Sequence, residues 1–317
     1  MKKNVKIFDE KLRAAKTIAV MAHKNPDGDA LCSVLAMARL IEKNYKKKCV
    51  VIYDGNAPDH LDNIPLRDRA LYWSKANLSK PFDVAVLLDY GAEHQIGGPL
   101  EVVKKAKYVV EIDHHKNDAP VADLCIDDEN ADAAAVVLYR VMRDAGWNDD
   151  IDIRNLLAIA ILTDTGNFKF ASSSESLLIM ADLVKGGVCI RELVEIMNNK
   201  PRKAILVEAR AAGNAEFFYH NKLAVATIDR SGYRDMDGRG EMVLNILGQI
   251  KGVEFVVLLK EQKENQIGIS IRSRGAAVDK IAESFGGGGH KQAAGAVVRG
   301  DTLENVHAKI ISAFKGM

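Results

Sequence analysis

Along the first 188 residues, short apolar runs rich in β-branched side chains alternate with longer stretches whose apolar residues recur at helical spacing. Thr17–Ala22, Cys49–Tyr53, Phe82–Leu88 and Lys107–Ile112 read as strands. Phe82–Leu88 is almost continuously apolar, the pattern of a strand covered on both faces in a parallel sheet. Ala30–Leu40, Leu100–Ala106, Ala131–Ala145, Ile153–Leu162 and Leu177–Val184 read as helices, while the stretch through Pro58, Pro65 and Trp73 has no clear period. From Arg191 to Arg210 the alternation is lost and charge rises, as in a helical linker. Beyond it Leu223–Ile228, Val253–Leu259 and Ile267–Ile271 read as strands, and Glu241–Ile250, Val278–Ser284 and Leu303–Phe314 as helices. The pattern predicts an α/β protein with a larger N-terminal domain over 1–188, whose mainly parallel sheet is flanked by helices. A linker over 189–214 and a smaller α+β C-terminal domain over 215–317 follow, with an active-site cleft between the domains.

The polar residues that interrupt this pattern stand where the apolar runs end. Asp113-His114-His115 closes one predicted strand, and a carboxylate with two imidazoles at that place calls for a partner such as a metal ion. His23-Lys24-Asn25-Pro26-Asp27-Gly28-Asp29 lies between a strand end and a helix start, where open α/β sheets bind ligands. Asp27 and Asp29, side by side in an extended loop, could each reach a different metal; equally, Asp29 could cap the helix and Asp27 form the turn. Asp89 closes the strand Phe82–Leu88, where an unpaired carboxylate is costly, and Gly91 permits a tight exit. Asp164 ends the helix Ile153–Leu162, with metal ligation or a satisfied helix-end carboxylate as the two readings. Asp127-Asp128-Glu129 reads as capping and surface charge.

Composition narrows the partners. The 317 residues carry a formal net charge of +1, so no global basic field holds a long polyanion, and a short phosphate compound is favoured over duplex DNA. No apolar run approaches the roughly 20 residues of a membrane span, and Met1–Lys6 leads into no apolar leader segment, which predicts a cytoplasmic protein. Cys32, Cys49, Cys125 and Cys189 are widely spaced, which argues against zinc or disulfides and for buried, reduced thiols.

In the second domain, Arg272-Ser273-Arg274 closes a strand with two guanidinium groups suited to phosphate. The run Gly286–Gly289 offers unhindered amides to an anion, followed by His290 and Lys291, yet lacks the ending of a Walker loop.

Taken in order, His23–Ala30, Asp89, Asp113-His114-His115 and Thr163-Asp164-Thr165-Gly166 resemble the motifs of the DHH phosphoesterase superfamily. The glycine run with His290 and Ala293-Ala294-Gly295-Ala296 is similar to the DHH-associated C-terminal domain, and the layout resembles the bacterial oligoribonuclease (nanoRNase) and 3'-phosphoadenosine-5'-phosphate phosphatase group. The resemblance implies two Mn2+ ions, with Mg2+ or Co2+ as substitutes. It implies that His23, Asp27 and Asp89 hold one, that Asp29, Asp89, His114 and Asp164 hold the other, and that Asp89 bridges. Asp113 and His115 then serve in phosphate stabilisation and orientation, and Arg272, Ser273, Gly288, Gly289 and His290 in substrate binding. The implied substrate is short RNA, a linear dinucleotide or a nucleoside bisphosphate; a homodimer is left open. An inorganic pyrophosphatase is the second reading, against which stands the lack of a basic Ser-Arg-Lys-Lys-type motif, and a non-catalytic nucleotide sensor the third. One departure is visible: Cys32 stands where the first motif usually carries glycine, which puts a close approach of the helix in question.

Overall fold

The structure, a computed structural model, describes residues 1–57, 61–73, 81–117, 119–236 and 240–317. It divides into two compact units, Met1–Asn199 and Lys200–Met317.

In the first unit the order is α1 (Lys2–Ala14), β1 (Ile18–Met21), α2 (Gly28–Tyr45), β2 (Val50–Tyr53), β3 (Ala70–Tyr72) and β4 (Val84–Leu88). There follow α3 (Glu93–Ile96), α4 (Leu100–Lys105), β5 (Val109–Asp113), β6 (Leu124–Asp127), α5 (Ala134–Asp144), α6 (Ile151–Asp164), α7 (Glu175–Lys185) and α8 (Ile190–Asn198). The expected parallel sheet is present, with strand order β3-β2-β1-β4-β5-β6 and parallel pairing throughout. Because β1 sits beside both β2 and β4, the chain leaves it in opposite directions, which opens a crevice at its carboxyl end. Register sets Met21 opposite Leu87 and Leu88 opposite Ile112, so the segments that follow β1, β4 and β5 emerge side by side. Both sheet faces are buried: Val20, Val86 and Ile112 pack with α2, α5 and α6, while Met21, Leu87 and Val109 pack with Ile96, Val102 and Val103.

Helix α1 was not among the expected elements. Its Val5, Phe8 and Leu12 form a buried stripe, and Asn4 donates to the Cys125 carbonyl of β6. That helix covers one sheet edge, which otherwise exposes unpaired backbone groups. Within the stretch read as irregular, Ala70–Tyr72 is a short strand. No helix among the described residues is long and apolar enough to cross a membrane. All four cysteines are free; only Cys32 is fully buried, and Cys49, Cys125 and Cys189 are partly exposed, which corrects their expected burial.

The second unit runs α9 (Arg202–Gly213), β7 (Glu216–Phe218), β8 (Leu223–Ile228), α10 (Arg230–Asp235), α11 (Glu241–Gly248), β9 (Phe255–Lys263) and β10 (Gln266–Ser273). It ends with α12 (Asp279–Ser284), β11 (Gly288–His290), β12 (Ala293–Arg299) and α13 (Leu303–Ala313). The stretch 189–214 is thus divided, α8 belonging to the first unit and α9 to the second. Its sheet, β11-β12-β10-β9-β8-β7, is antiparallel except between β8 and β9. The glycine run is not an irregular loop: Gly288–His290 pairs with Ala293–Gly295 as the edge strand of a hairpin. A side chain at Gly287 would strike the Gly295 carbonyl at 2.0 Å, so small residues are required for the hairpin to close.

Candidate metal centre

The segments emerging from β1, β4 and β5, with the facing ends of α2 and α6, bring the six expected ligands together. His23, Asp27 and Asp89 place one donor atom each within 4.8 Å of one another, and so do Asp29, His114 and Asp164. His23 Nε2 lies 3.8 Å from Asp27 Oδ2 and 3.8 Å from Asp89 Oδ2. His114 Nε2 lies 3.5 Å from Asp89 Oδ1 and 3.5 Å from Asp164 Oδ2, so Asp89 stands between the two sets.

Each imidazole is aimed by its other nitrogen. His23 Nδ1 is 2.9 Å from the Lys24 carbonyl, and His114 Nδ1 is 3.1 Å from that of Ala131. A backbone carbonyl at Nδ1 selects the tautomer whose Nε2 can ligate. Asp89 is 3% exposed, sits at φ 50° just past β4, and its Oδ1 has no hydrogen-bond donor among the described residues. Left-handed backbone costs an aspartate roughly 1–2 kcal/mol. A strained, buried carboxylate with one oxygen lacking a donor fits a cation, and so does a donor set of imidazoles and carboxylates without thiolate.

Two expectations about local geometry are corrected. Asp27 is the N-cap of α2, accepting from Ala30 N at 3.1 Å, and Asp29 lies within the first helical turn rather than in an extended loop. Asp29 is buried, and it accepts from Ala134 N at 2.6 Å, Ala135 N at 3.1 Å and Ser33 Oγ at 2.8 Å, so it also caps α5 from another helix. Asp113 is the other correction. Its Oδ2 accepts from Tyr90 N and Gly91 N, and its Oδ1 from His114 N, His115 N and His115 Nδ1, at 2.7 to 3.0 Å. With both oxygens so engaged, Asp113 suits orientation of the β4 and β5 turns and not contact with a phosphate, which a carboxylate repels.

Sequence reasoning passed over the support beneath these turns. Tyr90 Oη donates to Glu111 Oε2 at 2.6 Å and accepts from Asn117 Nδ2 at 2.8 Å. The available signal was Glu111 itself, a charge inside an apolar strand that needs a partner. Asp128, read as surface charge, pairs with Arg140.

The electrostatics describe a pocket short of positive charge. Burial opposes protonation of His23, but Asp27 and Asp89 outweigh it and raise its pKa to about 9. Burial likewise opposes protonation of His114, and Asp89 with Asp164 raises its pKa to about 10. Burial, then the neighbouring Asp89, pushes the Asp29 carboxyl up to about 7, and burial with Asp29 pushes Asp164 up. Asp89 is held well below the carboxylate range: burial works against this, and His114, His115 and His23 prevail.

Metal ligation must displace the imidazole protons, so affinity for a divalent metal is expected to rise with pH toward 9–10. Calorimetric titration of the metal-free chain in buffers of different ionisation enthalpy should report the two imidazole protons released near neutral pH, together with those that Asp29 and Asp164 still hold there. A pH-independent affinity would exclude ligation through His23 and His114. In the metal-free chain the stabilisation from these raised imidazoles is present below about pH 6.5 and lost as pH passes 9–10.

The second unit holds the other expected residues. Arg272 donates to Glu241 Oε1 at 2.7 Å and to the Ile271 carbonyl, and Ser273 Oγ donates to the Ala276 carbonyl. Arg274 is not a spare guanidinium: it donates to the carbonyls of Gly248 and Ile250, closing the end of α11. Gly288, Gly289 and His290 form the sheet edge described above.

Residues 17–163 match the DHH family, N-terminal domain, and residues 220–316 the DHHA1 domain. The chain is 27% identical over 315 residues to the bifunctional oligoribonuclease and PAP phosphatase NrnA of Thermus thermophilus, covering 98% of this chain and 93% of that protein. The protein of the same name from Bacillus subtilis is 22% identical over 292 residues, with 89% of each chain covered. An exopolyphosphatase-related protein from Bacteroides fragilis, known as a crystal structure, has a TM-score of 0.91 at 22% identity, covering 99% of this chain and 96% of that one; the likeness shows a shared fold.

Proposed function

This chain belongs to the DHH phosphoesterase superfamily and is therefore a metal-dependent hydrolase, and from that premise we propose that it cleaves short oligoribonucleotides and linear dinucleotides. In this reading 3'-phosphoadenosine-5'-phosphate is a second, monoester substrate, as the names of its relatives suggest. The observation that carries it is the junction at Asp89, a buried carboxylate whose Oδ2 faces His23 and whose Oδ1, without a hydrogen-bond donor among the described residues, faces His114. Two Mn2+ ions are assigned to His23, Asp27 and Asp89 and to Asp29, Asp89, His114 and Asp164, because carboxylate and imidazole donors suit Mn2+ or Mg2+, with Co2+ a further substitute. When bound, such a pair supplies Lewis-acid charge stabilisation and activation of the attacking water.

The protein's own part is placement. Asp113 locks the turns after β4 and β5, and His115, gripped through Nδ1 by Asp113 at 2.9 Å, is assigned to meet phosphoryl charge with its ring. Arg272, Ser273 and the edge amides of Gly288 and Gly289, with His290, are assigned to the remaining phosphate or terminal nucleotide. A near-neutral chain suits a ligand with few phosphates.

The test is turnover by the Mn2+-loaded chain of an RNA dinucleotide, a pentanucleotide, 3'-phosphoadenosine-5'-phosphate and pyrophosphate. The dinucleotide is expected to be cleaved fastest. Turnover no greater than that of an Asp89→Ala variant would leave a nucleotide sensor as the reading, and a preference for pyrophosphate would replace the substrate.

A further inference from the structure

We propose that Phe170, together with Lys169, forms a nucleobase-stacking subsite at the rim of the metal centre; this rests on the nucleotide-hydrolase reading above. The chain leaves Asp164 through Gly166, Asn167 and Phe168 with φ of 56°, 59° and 66°, three consecutive left-handed residues. Thr165 holds this turn closed. Its hydroxyl donates to the Ile161 carbonyl at 2.6 Å and accepts from Phe168 N at 3.0 Å, while its carbonyl accepts from Phe170 N at 2.9 Å. Phe168 packs against the core, and Phe170 is left 54% exposed.

The Phe170 ring rests on Gly166 so closely that a β-carbon there would come within 2.8 Å of Cδ2 and Cε2. Gly166 is two peptides from Asp164, so their Cα atoms are at most about 7.6 Å apart. The far end of the loop is tied as well, since Ser172 N and Oγ both donate to Asp132 Oδ1 and Ser176 Oγ donates to Asp132 Oδ2. Asp132 follows Ala131, whose carbonyl orients His114, so the loop is anchored at both ends to segments that place the candidate ligands.

An exposed phenylalanine by itself is ordinary surface. What distinguishes this one is its fixed seat beside the candidate metal ligands and the Lys169 ammonium that lies over its ring, 5.0 Å from the centroid, on a flexible stem that an incoming base can displace toward the phosphate. An aromatic face with an adjacent cation is the pair that grips a single-stranded nucleotide, the ring taking the base and the cation the phosphate. Stacking is tolerant of base identity and scales with ring size, so purines are expected to be preferred to pyrimidines.

The experiment compares the Mn2+-loaded full-length enzyme with Phe170→Ala and Phe170→Tyr on linear diadenylate and on an abasic analogue of the same dinucleotide. Phe170→Ala is expected to raise the KM for diadenylate about tenfold with kcat unchanged. The KM for the abasic analogue should not move, and Phe170→Tyr should behave as wild type. An unchanged KM for diadenylate in Phe170→Ala overturns the subsite, as does an equal loss on the abasic analogue, which would mark a structural role. Absence of diadenylate turnover by the wild-type chain would overturn the substrate reading itself, and the subsite with it.

Discussion

Asp89→Asn is expected to reduce phosphoester hydrolysis at least roughly a thousandfold while the protein stays folded, the equivalent of about 4 kcal/mol of lost transition-state stabilisation. Asparagine tolerates the left-handed backbone at φ 50° and preserves the shape of the side chain, so the turn after β4 should survive. What it removes is the negative charge between His23 on one side and His114 on the other. With Asp89 assigned to both ions, a single substitution weakens both sites at once. The measurements are kcat on an RNA dinucleotide, bound Mn2+ per chain, and a thermal melt. Wild-type metal stoichiometry with wild-type kcat would refute the bridging assignment, whereas a collapsed melt would show that Asp89 is needed for folding.

Gly28→Ala is expected to be the more damaging change to the fold, at about 1–3 kcal/mol or somewhat more, with activity falling alongside. A β-carbon at Gly28 would come within 2.4 Å of Thr163 Oγ1 and 2.6 Å of Thr163 Cβ. Thr163 cannot swing aside cheaply, because it is a short branched side chain whose hydroxyl is bonded back to the Ile159 and Ala160 carbonyls. Relief must come from separating α2 from α6, and those two helix ends carry Asp27, Asp29 and Asp164. The control is Gly213→Ala, at the end of α9 with nothing within 4 Å of the added carbon and no left-handed φ, where little loss is expected. Equal melting temperatures for the two variants would refute the close-contact argument. The position flagged from the sequence was Cys32, yet its side chain is accommodated inside the core, and the crowding lies one helical turn earlier.

Much of the first unit was legible because its information is local. Val84–Leu88 announces a buried strand by its apolar continuity and Val109–Ile112 by its β-branched residues around the single charge of Glu111, and Asp89 and Asp113 are conspicuous because they directly follow these runs. The stripe of Val5, Phe8 and Leu12 was equally available but was obscured by the lysines between them. Ala293–Arg299 gave a weak strand signal because alanine and glycine carry little β preference, and only its ladder to β10 reveals the strand.

The sequence by itself determined the four central strands of the parallel sheet and put carboxylates and imidazoles at the ends of three of them, since side-chain period and end chemistry depend on residues a few positions apart. Tertiary structure alone decided that His23, Asp89 and His114 meet, because their adjacency follows from the crossover that seats β4 beside β1 and from the pairing of β5 with β4. It also decided that Asp29 in α2 closes the start of α5, more than a hundred residues away, and that Asp113 acts as a clamp. Those are hydrogen bonds between groups far apart along the chain, whose partners are set by packing and leave no periodic trace in either segment.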